Sequence, residues 1–279
     1  MVWTALSILA ISIIAGFFGS LLGLGGGIIV IPALTLLFHI DIRYAIGASI
    51  VSVIATSSGA AIVYVRDKMT NIRVGMFLEL ATTIGALTGA FIAGLIKAEV
   101  LYVLFGILML YSAYTMIKKR NQELPQVSTP HPIAEKLRLN GEYYDMALNQ
   151  QVKYNVTGVY GGFSMMYVAG TISGLLGIGS GSFKVIAMDT FMRLPMKIST
   201  ATSNFMIGVT AAASASIYLM RGDIDPKIAG PVAIGVLIGS TLGTRIMQKL
   251  RSVTIRKIFI PVLIYVAIEM LLKGLGVTG

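Results

Sequence analysis

Two glycine-rich clusters are the residues of this sequence whose types and spacing point most directly to chemistry. Gly25-Gly26-Gly27 interrupts one long apolar stretch, and Ser180-Gly181-Ser182 interrupts another. A helix that starts at such a break exposes unpaired N–H groups and about half a positive charge, and glycine lets a ligand approach the backbone closely. Two breaks that face one cavity therefore predict a site for a small anion, although either cluster alone is also typical of tight helix packing. We expect Ser182 to cap the second helix.

Lys184 is the charged residue that strengthens this interpretation. It lies in the first turn after the second break, deep in an apolar segment. A charged side chain inside a bilayer is costly, so an intramembrane lysine indicates a functional role. We predict that Lys184 binds the anion. The alternative is a structural ion pair with Asp189, for which a spacing of five residues on a helix is poor.

Polar side chains on other apolar segments are candidates for further roles. Ser49, Ser203 and Asn204 could complete the hydrogen bonding of an oxyanion, or they could form hydrogen bonds between helices, as serine often does in membranes. Glu79 could carry a coupling proton or extend to the lipid headgroups. We favour the second role for Glu79, because it follows Arg73 by only six residues near a membrane interface.

Other kinds of site find no support in the residue pattern. The sequence has no cysteine, two histidines and no cluster with metal-ligand spacing, so neither a metal nor another cofactor is expected. The Gly25-Gly26-Gly27 run follows an apolar helix rather than a strand, which argues against a dinucleotide site. We therefore expect a protein that is not an enzyme.

The elements that must position these residues are membrane helices. Of the 279 residues, 56% are apolar and 12% are charged, whereas a soluble domain carries about a quarter charged residues. The +10 net charge sits mainly in short loops between apolar segments, which indicates membrane orientation rather than nucleic-acid binding. We expect an all-α multi-pass protein of the cell membrane, with about eight transmembrane helices surrounded by lipid. The apolar segments are 3–38, 44–65, 74–96, 100–117, 154–192, 198–220, 228–248 and 255–276.

The chain contains an internal repeat. A shift of 154 residues places the glycine cluster at 25–27 on that at 179–181, Tyr64 on Tyr218 and Gly85 on Gly239. Repeats of this kind are a hallmark of secondary transporters. We predict a first transmembrane repeat over 1–117, a polar cytoplasmic linker over 118–153 and a second transmembrane repeat over 154–279.

The distribution of basic residues favours two inverted repeats. The first segment of each half is too long for one crossing, and if each forms a hairpin broken at its glycines, the halves run in opposite senses. This arrangement places 16 Lys and Arg residues in inner loops and five in outer loops. Parallel halves would divide them 12 to nine, a weaker bias toward the inner side. The inverted arrangement also places both termini outside.

The paired glycine blocks resemble those of the sulfite exporter TauE/SafE family. The resemblance rests on Gly16-Phe-Phe-Gly-Ser-Leu-Leu-Gly-Leu-Gly-Gly-Gly-Ile-Ile-Val-Ile-Pro32, on Gly170-Thr-Ile-Ser-Gly-Leu-Leu-Gly-Ile-Gly-Ser-Gly181 and on the segment from Leu194 to Thr210. It implies about eight membrane helices and transport of a sulfur-containing oxyanion, with the site between the halves. The second block departs from the first at Ser180, Lys184 and Ile186, which leaves the substrate open.

These observations together predict a secondary transporter that moves sulfite, a sulfonate such as sulfoacetate, or a related anion by alternating access. Two alternatives stay open: an anion channel and a membrane scaffold or accessory subunit that transports nothing. The expected partners are the small anionic substrate and the bilayer, with no nucleic acid. A coupling proton or cation and a homodimer are compatible with the sequence but not indicated by it.

Overall fold

The computed structural model describes residues 2–22, 26–118, 131–145, 149–247 and 252–277. Long apolar runs form helices here because a helix satisfies every backbone hydrogen bond within the segment. Short helices α2 and α8 continue into two π-helical turns, Ala33–Leu37 and Ala187–Phe191. The elements are α1 (Val2–Leu22), α2 (Gly27–Pro32), α3 (Ile42–Arg66), α4 (Ile72–Leu95), α5 (Ala98–Lys118), α6 (Pro132–Lys136), β1 (Gly141–Asp145), β2 (Gln150–Tyr154), α7 (Val159–Leu176), α8 (Gly181–Ile186), α9 (Met196–Met220), α10 (Pro226–Met247) and α11 (Ser252–Gly274).

Six helices of the described part are long and apolar enough to cross a membrane: α3, α4, α5, α7, α9 and α10. Two shorter apolar helices, Thr4–Ser20 and Gly27–Leu37, belong to the stretch that the first glycine cluster divides. The prediction of a helical multi-pass membrane protein is confirmed. The number of about eight crossings stays a prediction.

The boundaries of the elements follow the 154-residue shift. Under that shift the first residues of α2, α3, α4 and α5 fall on those of α8, α9, α10 and α11, and the two π-helical turns coincide. Two pairs of positions with a positive φ coincide as well: His39 with Arg193, and Lys68 with Gly222. The same local backbone therefore recurs in both halves, even where the side chains differ.

Contacts between helices are reciprocal under the same shift. Helix α1 packs on α10, and its counterpart α7 packs on α4, while α3 packs on α9 and α5 on α11. Glycines permit the close approach, because a Cβ at any of them would overlap backbone of the facing helix. The matched glycines and the residues they face are Gly85 with Tyr167, Gly89 with Thr171, Gly239 with Ile13 and Gly243 with Phe17.

The described residues of the polar segment, 131–145 and 149–153, contain the short helix α6 and two strands. Strands β1 and β2 form an antiparallel hairpin in which Tyr143 pairs with Val152. The side chains of Leu139, Tyr143 and Tyr154 are buried against α4, α9 and the second π-helical turn. The hairpin is also the exception to the expected all-α structure. One face packs on the helices because Tyr143 of β1 and Val152 and Tyr154 of β2 lie on the same side of the hairpin.

The amide of Asn71 joins this segment to the start of α4. Its side-chain oxygen accepts a hydrogen bond from the Val74 N–H (3.0 Å), while its nitrogen donates to the Leu139 carbonyl (2.8 Å) and the Tyr154 hydroxyl (2.9 Å). Burial raises the pKa of Tyr154, and the bond from Asn71 opposes part of that rise. The hairpin and the first turn of α4 are thus fixed to each other.

Candidate functional site at the glycine breaks

The first break contacts the second in the interior of the protein. Gly26 stands before α2, and its carbonyl accepts hydrogen bonds from the N–H groups of Ile29 and Val30. A Cβ added at Gly27 would lie 2.9 Å from the Gly177 carbonyl oxygen and 3.1 Å from the Ile178 Cα. Any side chain at position 27 would therefore push the two breaks apart. Gly25 lies outside the described residues.

Ser180 is the residue of the second break with the most unusual environment. Its backbone is left-handed, with φ of 46°, and the residue is 2% exposed. Its hydroxyl has no hydrogen-bond partner within the part of the chain that the structure describes. A buried, unpartnered hydroxyl costs about 1–3 kcal/mol, and a left-handed residue with a Cβ costs about 1–2 kcal/mol more. The protein therefore carries both of these energetic costs at a residue next to the contact between the two breaks.

The start of the second short helix differs from the prediction. Helix α8 begins at Gly181, so Ser180 occupies the N-cap position and makes no side-chain cap bond. Ser182 is the second helical residue, and its predicted role as the cap is wrong. A left-handed serine cannot be recognised from the sequence, because serine usually caps a helix from an extended conformation.

The predicted polar ligands of α3 and α9 hold the backbone near the breaks. The Ser49 hydroxyl donates to the Gly177 carbonyl at 2.6 Å, and the Ser203 hydroxyl donates to the Gly181 carbonyl at 3.3 Å. Asn204 donates from its side-chain nitrogen to the Thr200 carbonyl at 3.0 Å, within α9. Ser49 and Ser203 therefore fix the second break in place, and Asn204 is bonded within its own helix.

Two further hydroxyl groups of α3 lie beside the first break. A Cβ at Gly26 would meet the Thr56 hydroxyl at 3.3 Å and the Ser52 hydroxyl at 3.6 Å. Both residues are buried. They are not among the residues predicted for the site, because the face of an apolar helix that points inward cannot be read from its composition.

Lys184 is completely buried and belongs to a polar chain across three helices. Its ammonium donates to the Thr210 hydroxyl at 2.5 Å, and that hydroxyl donates to the Glu79 Oε1 at 2.7 Å. Thr83 also donates to Oε1, at 3.2 Å, whereas the other carboxylate oxygen has no partner in the described part of the chain. Lys184 therefore interacts with Glu79 of α4, whereas the sequence had suggested Asp189 as the alternative ion-pair partner.

The prediction that Glu79 extends to the lipid headgroups is wrong. The residue is 7% exposed and points toward Thr210 and Lys184 in the interior. The spacing of six residues from Arg73 indicated how far along α4 Glu79 lies, but not toward which side of the helix its side chain points. Because α4 is apolar on nearly all sides, no polar stripe distinguishes the buried side from the lipid side.

Comparison with known proteins identifies the family to which this arrangement belongs. The model of the family described as sulfite exporter TauE/SafE matches residues 8–270. The chain belongs to the sulfite exporter TauE/SafE family. No solved structure matches this TauE/SafE protein significantly.

Relatives of this TauE/SafE protein are similar over nearly their whole length. The probable membrane transporter protein YunE of Bacillus subtilis is 28% identical over 275 residues, covering 96% of this chain and 97% of its own. YdhB of the same organism is 26% identical and covers 88% and 90%. MJ0441 of Methanocaldococcus jannaschii is 24% identical and covers 95% and 94%. The protein is thus a multi-pass membrane transporter of the TauE/SafE type, as the sequence predicted, and not an enzyme.

Proposed function

We propose that this transporter moves a small sulfur-containing oxyanion, such as sulfite or a sulfonate, across the cell membrane by alternating access. The anion binds where the two glycine breaks meet, against the backbone N–H groups at the starts of α2 and α8. Gly25, Gly26, Gly27, Ser180, Gly181 and Ser182 form the breaks. Ser49 and Ser203 hold the second break in place, Asn204 completes the hydrogen bonding of the anion, and Lys184 supplies positive charge.

The buried Ser180 hydroxyl is the observation that carries this proposal. An O–H donor without a partner is rare in a protein interior, and it is stabilised when a ligand accepts its hydrogen bond. It stands at the start of a helix, where N–H groups also face outward from the backbone. A small oxyanion supplies several acceptor oxygens at once and so fits both kinds of donor.

We further propose that the two transmembrane repeats, 1–117 and 154–279, are inverted in the membrane. The bias of basic residues toward one side and the reciprocal contacts of α1 with α10 and of α4 with α7 support this arrangement. Because each of these tightly packed pairs combines helices of both halves, the bodies that move during transport also combine both halves. The breaks lie between them.

Binding is tested by thermal unfolding of the purified protein with sulfite, sulfoacetate, taurine, thiosulfate and sulfate, and with acetate as the carboxylate control. A ligand present at about 100 times its Kd stabilises the folded state by about 2.7 kcal/mol. We expect at least one sulfur oxyanion to raise the melting temperature more than acetate does. If none of them does, the proposed substrate class is wrong.

The position of the site is tested with Ser180→Ala and a matched control, Ser12→Ala. Both serines are 2% exposed, but Ser12 lies in α1, well before the first break. Ser180→Ala removes a hydroxyl that has no hydrogen-bond partner among the described residues, so the ligand-free stability should not fall, while the anion-induced shift decreases. Equal anion-induced shifts in the two variants would remove Ser180 from the site.

The two alternative functions make different predictions in proteoliposomes. A transporter shows saturable uptake and counterflow, in which unlabelled anion on one side drives labelled anion across. A channel instead conducts large unitary currents without counterflow. A scaffold moves no anion at all.

A further inference from the structure

We propose that Glu79 and Lys184 form a proton-coupling switch, in which an anion bound at Lys184 is accompanied by a proton on Glu79. Anion and proton then cross the membrane together. This inference rests on the proposed function, since it needs an anion at the breaks, but it adds the coupling ion and the residue that carries it. The proton comes from water on the side to which the site is open.

The geometry of the pair leaves one position open for a proton. Thr210 and Thr83 both donate to Oε1 of Glu79, so the carboxylate is held by one oxygen. Oε2 is buried and has no partner in the described residues. Lys184 reaches Glu79 through the Thr210 hydroxyl rather than by direct contact. The ammonium can therefore turn toward an anion without displacing a direct ion pair.

Charge balance in the interior gives the direction of coupling. Without a ligand, the positive Lys184 and the negative Glu79 sum to zero. A monovalent anion beside Lys184 leaves one uncompensated negative charge in a site shielded from water, which is strongly unfavourable. A proton on Glu79 restores neutrality. Release of the anion returns the ammonium to Thr210 and favours release of the proton.

Other ionisable groups around the pair do not supply this compensation. Within the described residues, Lys184 is the charged group that acts electrostatically on Glu79, and Glu79 the one that acts on Lys184. The other ionisable side chains on the elements packed around the pair are Tyr160 and Tyr167 on α7, Lys197 and Tyr218 on α9, Asp189 on the second π-helical turn and Arg73 on α4, and Tyr111 of α5 stacks on Phe183 beside Lys184.

The site that the repeat relates to this one shows that the fold does not need the two charges. Under the 154-residue shift, Lys184 corresponds to Val30 and Glu79 to Ala233, while Thr210 corresponds to Thr56. Helices α2, α3 and α10 therefore adopt the same arrangement without either charge. A buried charged pair that is present at one of two repeat-related sites and absent from the other is better explained by function than by stability, because replacing such pairs with apolar residues is often neutral.

A proton fits the site better than a metal cation does. The described residues contain no group of three or more His, Asp or Glu side chains that could hold a metal ion. A sodium or calcium ion requires several oxygen ligands, whereas a proton requires a single basic oxygen with room beside it. Oε2 of Glu79 satisfies that requirement.

The first test uses the wild-type protein in proteoliposomes that contain a pH-sensitive dye, with labelled isethionate and labelled thiosulfate as probes. Both anions stay ionised around neutral pH, so any proton movement belongs to the protein. We expect inward anion flux to acidify the lumen, with about one proton for each isethionate. Uptake should rise when the outside is made more acidic. Anion uptake without acidification would overturn the coupling.

Variants separate coupling from transport itself. Glu79→Gln keeps an oxygen that accepts from Thr210 but binds no proton, so we expect counterflow to persist while the proton-to-anion ratio falls from about one to about zero. Glu99→Gln makes the same change at an exposed glutamate of α5 and should leave the ratio unchanged. A Glu79→Gln variant that still moves protons with the anion would refute the inference.

A double variant protects the test against a failure to fold. Glu79→Ala combined with Lys184→Val gives this site the residues of the site related to it by the repeat, Ala233 and Val30, so it should fold and unfold like wild type, but bind isethionate at least about tenfold more weakly. Unchanged, proton-coupled transport by this variant would show that the pair is structural. If the wild-type protein transports neither probe, the proposed function fails and the inference with it.

Discussion

Replacing Gly89 with alanine should separate α4 from α7. A Cβ at this position overlaps the Thr171 carbonyl oxygen and lies 2.8 Å from the Leu175 amide nitrogen. Both are backbone atoms, which cannot rotate away, so the helices must move apart by about 1 Å. A gap of that size removes about a quarter to a half of the attractive energy of each van der Waals contact across the interface.

The expected change in stability follows from two opposing terms. Overpacking of a tight interface costs about 3 kcal/mol at the upper end of its usual range, and alanine recovers about 1 kcal/mol as a better helix former than glycine. Gly89→Ala should therefore lower the free energy of unfolding by about 2 kcal/mol. Its counterpart Gly243→Ala should cost less, because one of its close neighbours is the Ser20 hydroxyl, a side chain that can rotate.

Gly230→Ala is the matched control. It lies within α10, and a Cβ there meets nothing within 4 Å. The same chemical change should therefore stabilise the protein by about 0.5–1 kcal/mol. Thermal unfolding of the three variants in one detergent should rank Gly230→Ala highest and Gly89→Ala lowest. If Gly89→Ala melts at or above Gly230→Ala, the helices are not packed as closely as described.

Three further predictions concern the second break and the hairpin. Ser180→Gly relieves the left-handed backbone and removes the unpartnered hydroxyl, so the melting temperature without ligand should rise, corresponding to about 1 kcal/mol. Asn71→Ala removes the cap of α4 and the bonds to the hairpin at a cost of about 1–2 kcal/mol, and limited proteolysis should cut faster within 131–158. Because burial raises the pKa of Tyr154 above 10.0, the unfolded chain loses that proton first as the pH rises. Stability should thus decrease above about pH 10, and the decrease should be smaller in Tyr154→Phe, as pH-dependent unfolding can show.

The sequence predicted the helices well because glycine clusters, loop charges and apolar runs are local signals. The apolar segment predicted to start at 44 forms a helix that starts at Ile42, and the segment predicted to start at 198 forms a helix that starts at Met196. The 154-residue shift was visible because it joined many such signals in one register. The expectation that the two glycine breaks face each other followed from the repeat alone and required no knowledge of side-chain orientation.

The polar chain of the site could not be predicted in the same way. Glu79 and Lys184 are far apart in the sequence and meet only because α4 and α9 pack together with α8. Their orientation depends on the rotation of each helix about its axis, and a helix that is apolar on nearly all sides gives no signal of that rotation. The hairpin was missed for a different reason: each strand has only five residues, too few for a clear alternation of apolar and polar side chains.

The pairing of α1 with α10 has a consequence for how the protein is made. The ribosome must add about two hundred residues after α1 before its partner exists, and the side of α4 that carries the packing glycines lacks its neighbour until α7 is made. The early helices therefore enter the bilayer with their closest-packing surfaces covered only by lipid. Assembly of this protein is a late event, completed when the last helices arrive and fit between those already inserted.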